Sequence, residues 1–439
     1  MSDALFTDFY ELTMMAGYHA AGRADEPAVF DLFFRHNPEG VDLVVCAGLE
    51  PVLESLEGLS FTRDEIDYLA SLDRFDPAFL EWLAELEFTG DVWAIPEGEI
   101  VFGDEPLVRV EGPLAQAQLV ETLLINRIAY SSLIASNALQ VTRAARGKPV
   151  LEFGARRAHG PDGAITATRA AMIGGCASTS NVEAARRFGL PLSGTQAHSW
   201  VMAWESEAEA FRAYARVFPE DCILLLDTYD TLHVGLPHAL EVADELAADG
   251  HELGGVRLDS GDLDSLSREV RARLDAAGHT QARIVVSGDL DAPRIEDLER
   301  ADAPIDAYGV GTALVTARQD PAFSGVYKLA EVDGNPVLKV SSTPEKATNP
   351  GRKQVWRGAD GDVIGLADEG LEGREMLELA MRDGRRTRPA RSVAEAAERC
   401  RESVTRVGEH PGQPRRTERL QALRDRLTDE LAVPTSPST

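Results

Sequence analysis

Nine histidines are spread over 439 residues, and one of them, His198, follows a Gly-Thr turn in the segment Gly194-Thr195-Gln196-Ala197-His198-Ser199. A neutral imidazole nitrogen is a competent nucleophile near neutral pH; the competing reading is a buried, hydrogen-bonded histidine. Arg156 and Arg257 offer the planar fork that suits a carboxylate or a phosphate. Asp259 and Asp289 suit hydroxyl groups or Mg2+, with helix capping as the alternative. Gly288, Gly309, Gly311 and Thr312 suit a phosphate, because glycine lets backbone N–H groups approach an anion and threonine adds a hydroxyl. Four of the five lysines, Lys328, Lys339, Lys346 and Lys353, fall within 26 residues of a chain that otherwise uses 39 arginines. Compact ammonium groups kept in one place suit a loop over phosphate, or else a solvated patch.

The elements that must position these groups are legible from periodicity. Pro149–Phe153, Cys222–Leu226, Val256–Leu258, Ile284–Val286 and Ile305–Val310 are short, mostly apolar runs, as buried parallel strands require. Amphipathic helices lie between them. One carries Phe211, Tyr214, Ala215 and Phe218, opens on a capping box from Ser206 to Glu209 and stops at Pro219; others carry Leu240, Ala243 and Ala247, or Leu263, Leu266, Val270 and Leu274. Polar residues follow each strand: Phe153-Gly154-Ala155-Arg156, Asp227-Thr228, Asp259-Ser260, Gly288-Asp289 and Gly311-Thr312. In a barrel these positions share one rim, where active sites are built. Outside this centre, Val29–Phe34 and Leu43–Val45 read as strands and Gln118–Leu139 as a long helix. Turns at Asp333-Gly334 and Asp360-Gly361 separate short strands that return to the N-terminal module. Leu420, Leu423, Leu427 and Leu431 mark a last helix, and Val433–Thr439 reads as frayed. The expected division is 1–140, 141–326 and 327–439.

Composition narrows the class. Hydrophobic residues make up 44% of the chain, enough for full-sized cores. No apolar run suits a membrane span and Met1-Ser2-Asp3 opens no secretory signal, so a cytoplasmic location is expected. Cys46, Cys176, Cys222 and Cys400 are too far apart for a zinc knuckle or a disulfide framework, so no zinc is expected. A net charge of -29 repels nucleic acid and points to a salt-loving host with a high-GC genome.

In chain order the polar segments are Thr7-Asp8-Phe9-Tyr10-Glu11-Leu12-Thr13-Met14, Phe153-Gly154-Ala155-Arg156-Arg157-Ala158, Thr179-Ser180-Asn181 and Gly194-Thr195-Gln196-Ala197-His198-Ser199. Then come Asp227-Thr228-Tyr229-Asp230-Thr231, Val256-Arg257-Leu258-Asp259-Ser260-Gly261-Asp262, Ser287-Gly288-Asp289, Tyr308-Gly309-Val310-Gly311-Thr312 and Tyr327-Lys328-Leu329. In kind, order and spacing this series resembles the nicotinate phosphoribosyltransferase family, from residue 5 to about 357. The resemblance implies an irregular α/β barrel of the type II phosphoribosyltransferase kind beside a discontinuous α/β domain built from N- and C-terminal segments, working as a homodimer.

It also implies roles. His198 becomes phosphorylated by ATP, coupling ATP hydrolysis to the joining of nicotinate and phosphoribosyl pyrophosphate, with Mg2+ carried by pyrophosphate near Asp259 and Asp289. Tyr10, reaching across the dimer, and Phe153 look like a pyridine-stacking pair. Arg156, Arg257, Thr179, Ser180 and Thr195 face nicotinate; Asp227, Asp259, Ser260, Gly288, Asp289, Gly309, Gly311, Thr312 and Lys328 face ribose and phosphates. Two departures stand out: His159 where glutamine is expected, and Cys176-Ala177 in a usually glycine-rich stretch. The alternatives are a nicotinamide or quinolinate enzyme on a related barrel, or a non-catalytic pyridine binder. The stretch Gly174–Asn181 holds no acid to accept an amide N–H, which favours the acid substrate.

Overall fold

The computed structural model describes residues 3–339, 348–408 and 412–431. Lys346 and the Val433–Thr439 tail lie outside the described residues. The chain divides into two compact units: Met1–Leu133 with Ala322–Thr439, and Ile134–Pro321. The divisions fall at 133/134 and 321/322, a few residues before the 140/141 and 326/327 expected. The first is invisible in sequence because one helix, Glu121–Ala144, runs through it. The expected long helix is in fact two, Leu114–Leu119 and Glu121–Ala144; no glycine or proline marks the break.

The second unit is built on six parallel strands, β1 (Val150–Glu152), β2 (Ser178–Thr179), β3 (Ile223–Leu225), β4 (Gly255–Leu258), β5 (Arg283–Val286) and β6 (Ala307–Val310), in the order β2-β1-β6-β5-β4-β3. Helices connect them, including Glu207–Val217, Leu236–Ala248 and Leu263–Ala276; of the apolar stripes read from sequence they bury Phe211, Ala215, Ala243, Leu263, Val270 and Leu274, while Phe218 and Ala247 are exposed. At Ser206 only half of the expected capping box forms: its side chain accepts the Glu209 N–H. The gap between β2 and β3 is filled by residues 191–196. Leu192 bridges Thr179 in parallel sense, Ser193 N–H donates to the Thr179 carbonyl at 2.9 Å, and the Gln196 amide reaches the Ile223 carbonyl at 3.4 Å. The ring therefore closes through the segment that leads into His198.

The first unit holds a seven-stranded antiparallel sheet. Within it Pro27–Phe34 pairs with Val108–Pro113, the middle strand, on one side and Gly325–Val332 on the other. Strands from beyond residue 322 thus complete the N-terminal sheet, making the unit discontinuous. Asp333-Gly334 and Asp383-Gly384 make its two-residue turns with positive φ at both positions, and Ala359-Asp360 joins Lys353–Gly358 to Gly361–Leu366. No helix among the described residues is long and apolar enough to cross a membrane. All four cysteines are buried and free, and burial holds each thiol well above its ordinary range.

The lysine cluster does not act as one loop. Lys353 is 3% exposed, its ammonium 2.6 Å from the equally buried Asp31 and donating to the Asn349 carbonyl at 2.8 Å and the Gly351 carbonyl at 2.5 Å. It is a core ion pair; a cation there is tolerable only because every proton finds an oxygen. Lys328 lies opposite Asp31 across the sheet, donates to the Tyr327 carbonyl and stands 3.8 Å from Glu121.

A buried acid pair in the same unit yields a pH prediction. Glu105 and Asp362 are both buried, and Arg357 holds Asp362 through two nitrogens at 2.5 and 2.9 Å. Glu105 Oε2 accepts the Phe102 N–H at 2.9 Å, while Oε1 has no donor. A proton on Oε1, shared with Asp362, resolves that: burial and the Asp362 charge push the Glu105 carboxyl well above its ordinary value. The folded state then holds a proton that the unfolded chain releases above about 4.5, so this group's stabilisation is complete below that pH and is lost as pH rises toward the folded value. Glu105→Gln, which carries a permanent donor, should match the parent at acidic pH. By about pH 8 its Tm should be higher by roughly 2–4 °C, the shift that ~1 kcal/mol makes in a domain of this size. Thermal melts across pH check this; a Tm difference independent of pH would exclude the shared proton.

Candidate active site

Every strand of the barrel delivers chemistry at its C-terminal end. Phe153 follows β1, Thr179 and Ser180 end β2, and Asp227 follows β3. Asp259 and Ser260 follow β4, Ser287, Gly288 and Asp289 follow β5, and Gly311 and Thr312 follow β6. The helices that start just downstream are capped by other acids, Asp230, Asp262 and Asp291, whose side chains accept the N-terminal N–H groups. This removes the capping alternative for Asp259 and Asp289 and leaves them on the rim.

The centre of the site is a hydrogen-bonded chain. His198, the first residue of the short helix His198–Met202, places Nε2 3.4 Å from Asp227 Oδ1, with the imidazole 41% exposed and Asp227 only 3%. Asp227 Oδ2 accepts the Asp259 N–H at 3.2 Å and the Ser260 hydroxyl at 2.5 Å. Asp259 Oδ1 accepts the Ser287 hydroxyl and stands 3.6 Å from Arg257 Nη2. Arg257 Nη1 donates to Thr195 Oγ1 at 2.7 Å and to the Gln196 carbonyl at 3.2 Å. Burial pushes the guanidinium below its ordinary value and Arg156 adds to this, while Asp259 and Asp227 oppose it; it remains a cation at any pH of interest. Arg257 and an exposed imidazole therefore stand beside a carboxylate relay, with Arg156 near enough to act on Arg257.

Glycines set the close approaches. Gly288 has φ +93°, and a Cβ there would lie 1.9 Å from the Asp259 carbonyl oxygen. A side chain at Gly309 would come within 2.7 Å of the Phe153 ring and 3.2 Å of Ser287 Cβ, so the bare strand is what lets that ring lie over β6.

Several sequence expectations change. Thr179 was read as a nicotinate contact, but it is fully buried: its hydroxyl donates to Glu152 Oε2 at 2.6 Å and accepts the Asn181 N–H at 2.9 Å. Asp227, expected to face ribose or phosphate, has a nearly buried carboxylate whose oxygens meet His198, the Asp259 N–H and the Ser260 hydroxyl. Arg156, Ser180, Asp289 and His159 are exposed on loops or helix starts. Tyr10 and Lys328 belong to the first unit. Tyr10 sits on helix Phe9–Ala20, 46% exposed, and partial burial beside Glu121 and Glu11 pushes its phenol up. From sequence, Glu152 and Glu207 carry no role, and Ser287 stands only within the segment Ser287-Gly288-Asp289. Glu152 is one acid inside an apolar strand run. Glu207 opens helix Glu207–Val217, buried, with Oε2 3.5 Å from His238 Nδ1.

A parallel barrel whose strand ends converge on arginines, an imidazole and glycine-lined backbone defines an enzyme with the type II phosphoribosyltransferase fold. Family models agree: residues 5–129 match the nicotinate phosphoribosyltransferase N-terminal domain and residues 149–370 the nicotinate phosphoribosyltransferase family. The chain is 48% identical over 390 residues to nicotinate phosphoribosyltransferase pncB2 of Mycobacterium tuberculosis, covering 88% of this chain and 83% of that protein. It is 44% identical over 387 residues to nicotinate phosphoribosyltransferase of Bacillus subtilis, covering 86% and 79%. The crystal structure of human nicotinic acid phosphoribosyltransferase superposes with a TM-score of 0.86 at 32% identity, over 96% of this chain and 99% of that one. The chain belongs to the nicotinate phosphoribosyltransferase family.

Proposed function

We propose that the protein joins nicotinate to phosphoribosyl pyrophosphate, releasing pyrophosphate and nicotinate mononucleotide for NAD salvage, and that ATP hydrolysis is coupled to this through phosphorylation of His198. The observation that carries the reading is the exposed His198 imidazole held at Nε2 by the buried Asp227, on the rim that also presents Arg257 and Phe153. With Asp227 accepting at one ring nitrogen, that nitrogen holds the proton and the other keeps its lone pair for the γ-phosphorus of ATP. Hydrolysis of the phosphohistidine then yields phosphate and resets the site.

Transfer itself asks for placement. The nicotinate ring nitrogen attacks the anomeric carbon as the pyrophosphate oxygen leaves, through an oxocarbenium-like transition state that rewards position and charge over a strong base. Phe153 offers a ring face to the pyridine. Arg257, fixed by Thr195 and Gln196, and the exposed Arg156 offer cations to the carboxylate. Asp259 and Asp289 are the carboxylates that would face Mg2+, an ion held largely by pyrophosphate and water. When bound, Mg2+ would neutralise the leaving pyrophosphate. A homodimer, with Tyr10 stacking in the partner's site, and action in the cytoplasm complete the proposal; the exposed Phe6, Phe9, Tyr10 and Met14 support the dimer.

Gly309→Ala should push the Phe153 ring aside and raise the KM for nicotinate by roughly 2- to 10-fold, the worth of one ring-stacking contact. The KM for phosphoribosyl pyrophosphate should rise less, through the contact with Ser287. Steady-state kinetics in both substrates read this directly, and equal rises in both would take Phe153 out of the pyridine site. The overall reading is tested by offering nicotinate and nicotinamide in parallel with phosphoribosyl pyrophosphate, Mg2+ and ATP. Mononucleotide from nicotinate is expected; product from nicotinamide alone would reject it.

A further inference from the structure

Glu152, the last residue of β1, is completely buried, and its contacts all lead to the rim. Oε1 accepts the Gly154 N–H at 2.5 Å. Oε2 accepts two hydroxyls, Thr179 at 2.6 Å and Thr168 at 3.0 Å. Its carbonyl takes the Ser180 N–H at 3.0 Å. Asn181 closes the set, its N–H on Thr179 Oγ1 at 2.9 Å and its amide on Thr168 Oγ1 at 3.1 Å. One carboxylate thus joins the turn that carries Phe153 and Arg156, the loop Thr179–Asn181 after β2, and the helix Gly160–Ile173. A buried carboxylate is costly unless it is fully hydrogen-bonded, and an apolar side chain would pack a strand end with less desolvation. What the carboxylate adds is a fixed spacing between two rim loops.

We propose that Glu152 is a positioning residue for the pyridine substrate, setting the Phe153–Arg156 turn against the Thr179–Asn181 loop through its bonds to Gly154 and Thr179. The inference rests on the reading that Phe153 and Arg156 receive nicotinate. It also gives Thr179 its role, which is exerted through Glu152 and not by touching substrate.

The test compares Glu152→Gln, Thr179→Val and Thr179→Ser with the parent, reading KM for nicotinate and for phosphoribosyl pyrophosphate, kcat, Tm, and nicotinate binding by calorimetry. Gln replaces one acceptor oxygen with a donor, and Val removes the hydroxyl that Ser keeps. Expected is a rise of about tenfold in nicotinate KM and Kd relative to the KM for phosphoribosyl pyrophosphate in Glu152→Gln and Thr179→Val, the scale of one hydrogen bond to a charged group. Thr179→Ser should restore parent values. Equal changes in both KM values that follow the loss of Tm, or no change in nicotinate binding, would overturn the proposal, and Thr179→Val decides it should Glu152→Gln not fold. A parent that neither binds nor converts nicotinate would instead reject the nicotinate reading itself.

Discussion

In His198→Ala, ADP release should cease to accompany product, while nicotinate mononucleotide still forms slowly without ATP. The reason is a separation visible in the geometry. The imidazole is the only nucleophile the proposal assigns to the γ-phosphoryl group, whereas substrate placement rests on Arg257, Thr195 and the Phe153 turn. Removing the ring deletes the phosphoryl acceptor and leaves the guanidinium anchored by its own bonds at 2.7 and 3.2 Å. ADP and mononucleotide measured in the same reaction check the outcome. Unchanged ADP per product in the variant would place the phosphoryl acceptor elsewhere.

Asp227→Asn should cost about 10²-fold in ATP-dependent turnover, short of the ~10⁴-fold known when a buried carboxylate orienting a catalytic histidine becomes an amide. The smaller figure follows from a contact of 3.4 Å to a half-exposed ring. The substitution acts on both sides of the residue. If the amide keeps its oxygen toward His198, its NH2 meets the Asp259 N–H donor against donor, and the Ser260 hydroxyl must turn to accept. If it flips, the wrong tautomer of His198 is favoured. Either way Asp259 loosens, so the KM for phosphoribosyl pyrophosphate should rise as well. Kinetics of both half-reactions test this; a loss confined to the ATP reaction would show that Asp227 does not support Asp259.

The barrel was legible because its strands are short apolar runs spaced by amphipathic helices, and because the residues after each run are polar. His198, Arg257 and Asp259 stand out by type and position, and the structure brings them within one chain of contacts. What sequence did not reveal are pairings between distant residues. Lys353 reads as a phosphate lysine beside Lys328, and only the packing of its strand, Lys353–Gly358, against the seven-stranded sheet shows it buried against Asp31. Thr179 reads as a rim hydroxyl because it ends a strand, yet alternation turns it toward Glu152. Glu152 itself is hidden by its apolar neighbours, since a run dominated by hydrophobic residues signals a strand whatever its one acid does. The hairpin at Asp383-Gly384 escaped because its flanking strands, Glu378–Arg382 and Arg385–Arg386, are too short and charged to alternate clearly.

In the proposed function one site couples ATP to the joining of nicotinate and phosphoribosyl pyrophosphate through His198. The most direct measurement of this coupling is the rate of nicotinate mononucleotide formation by the parent protein with nicotinate, phosphoribosyl pyrophosphate and Mg2+, with and without ATP, while ADP is followed in the same tube. Faster product with ATP, and ADP appearing in step with it, is the expected result. Product at the same rate without ATP, or ADP released with no relation to product, would contradict it.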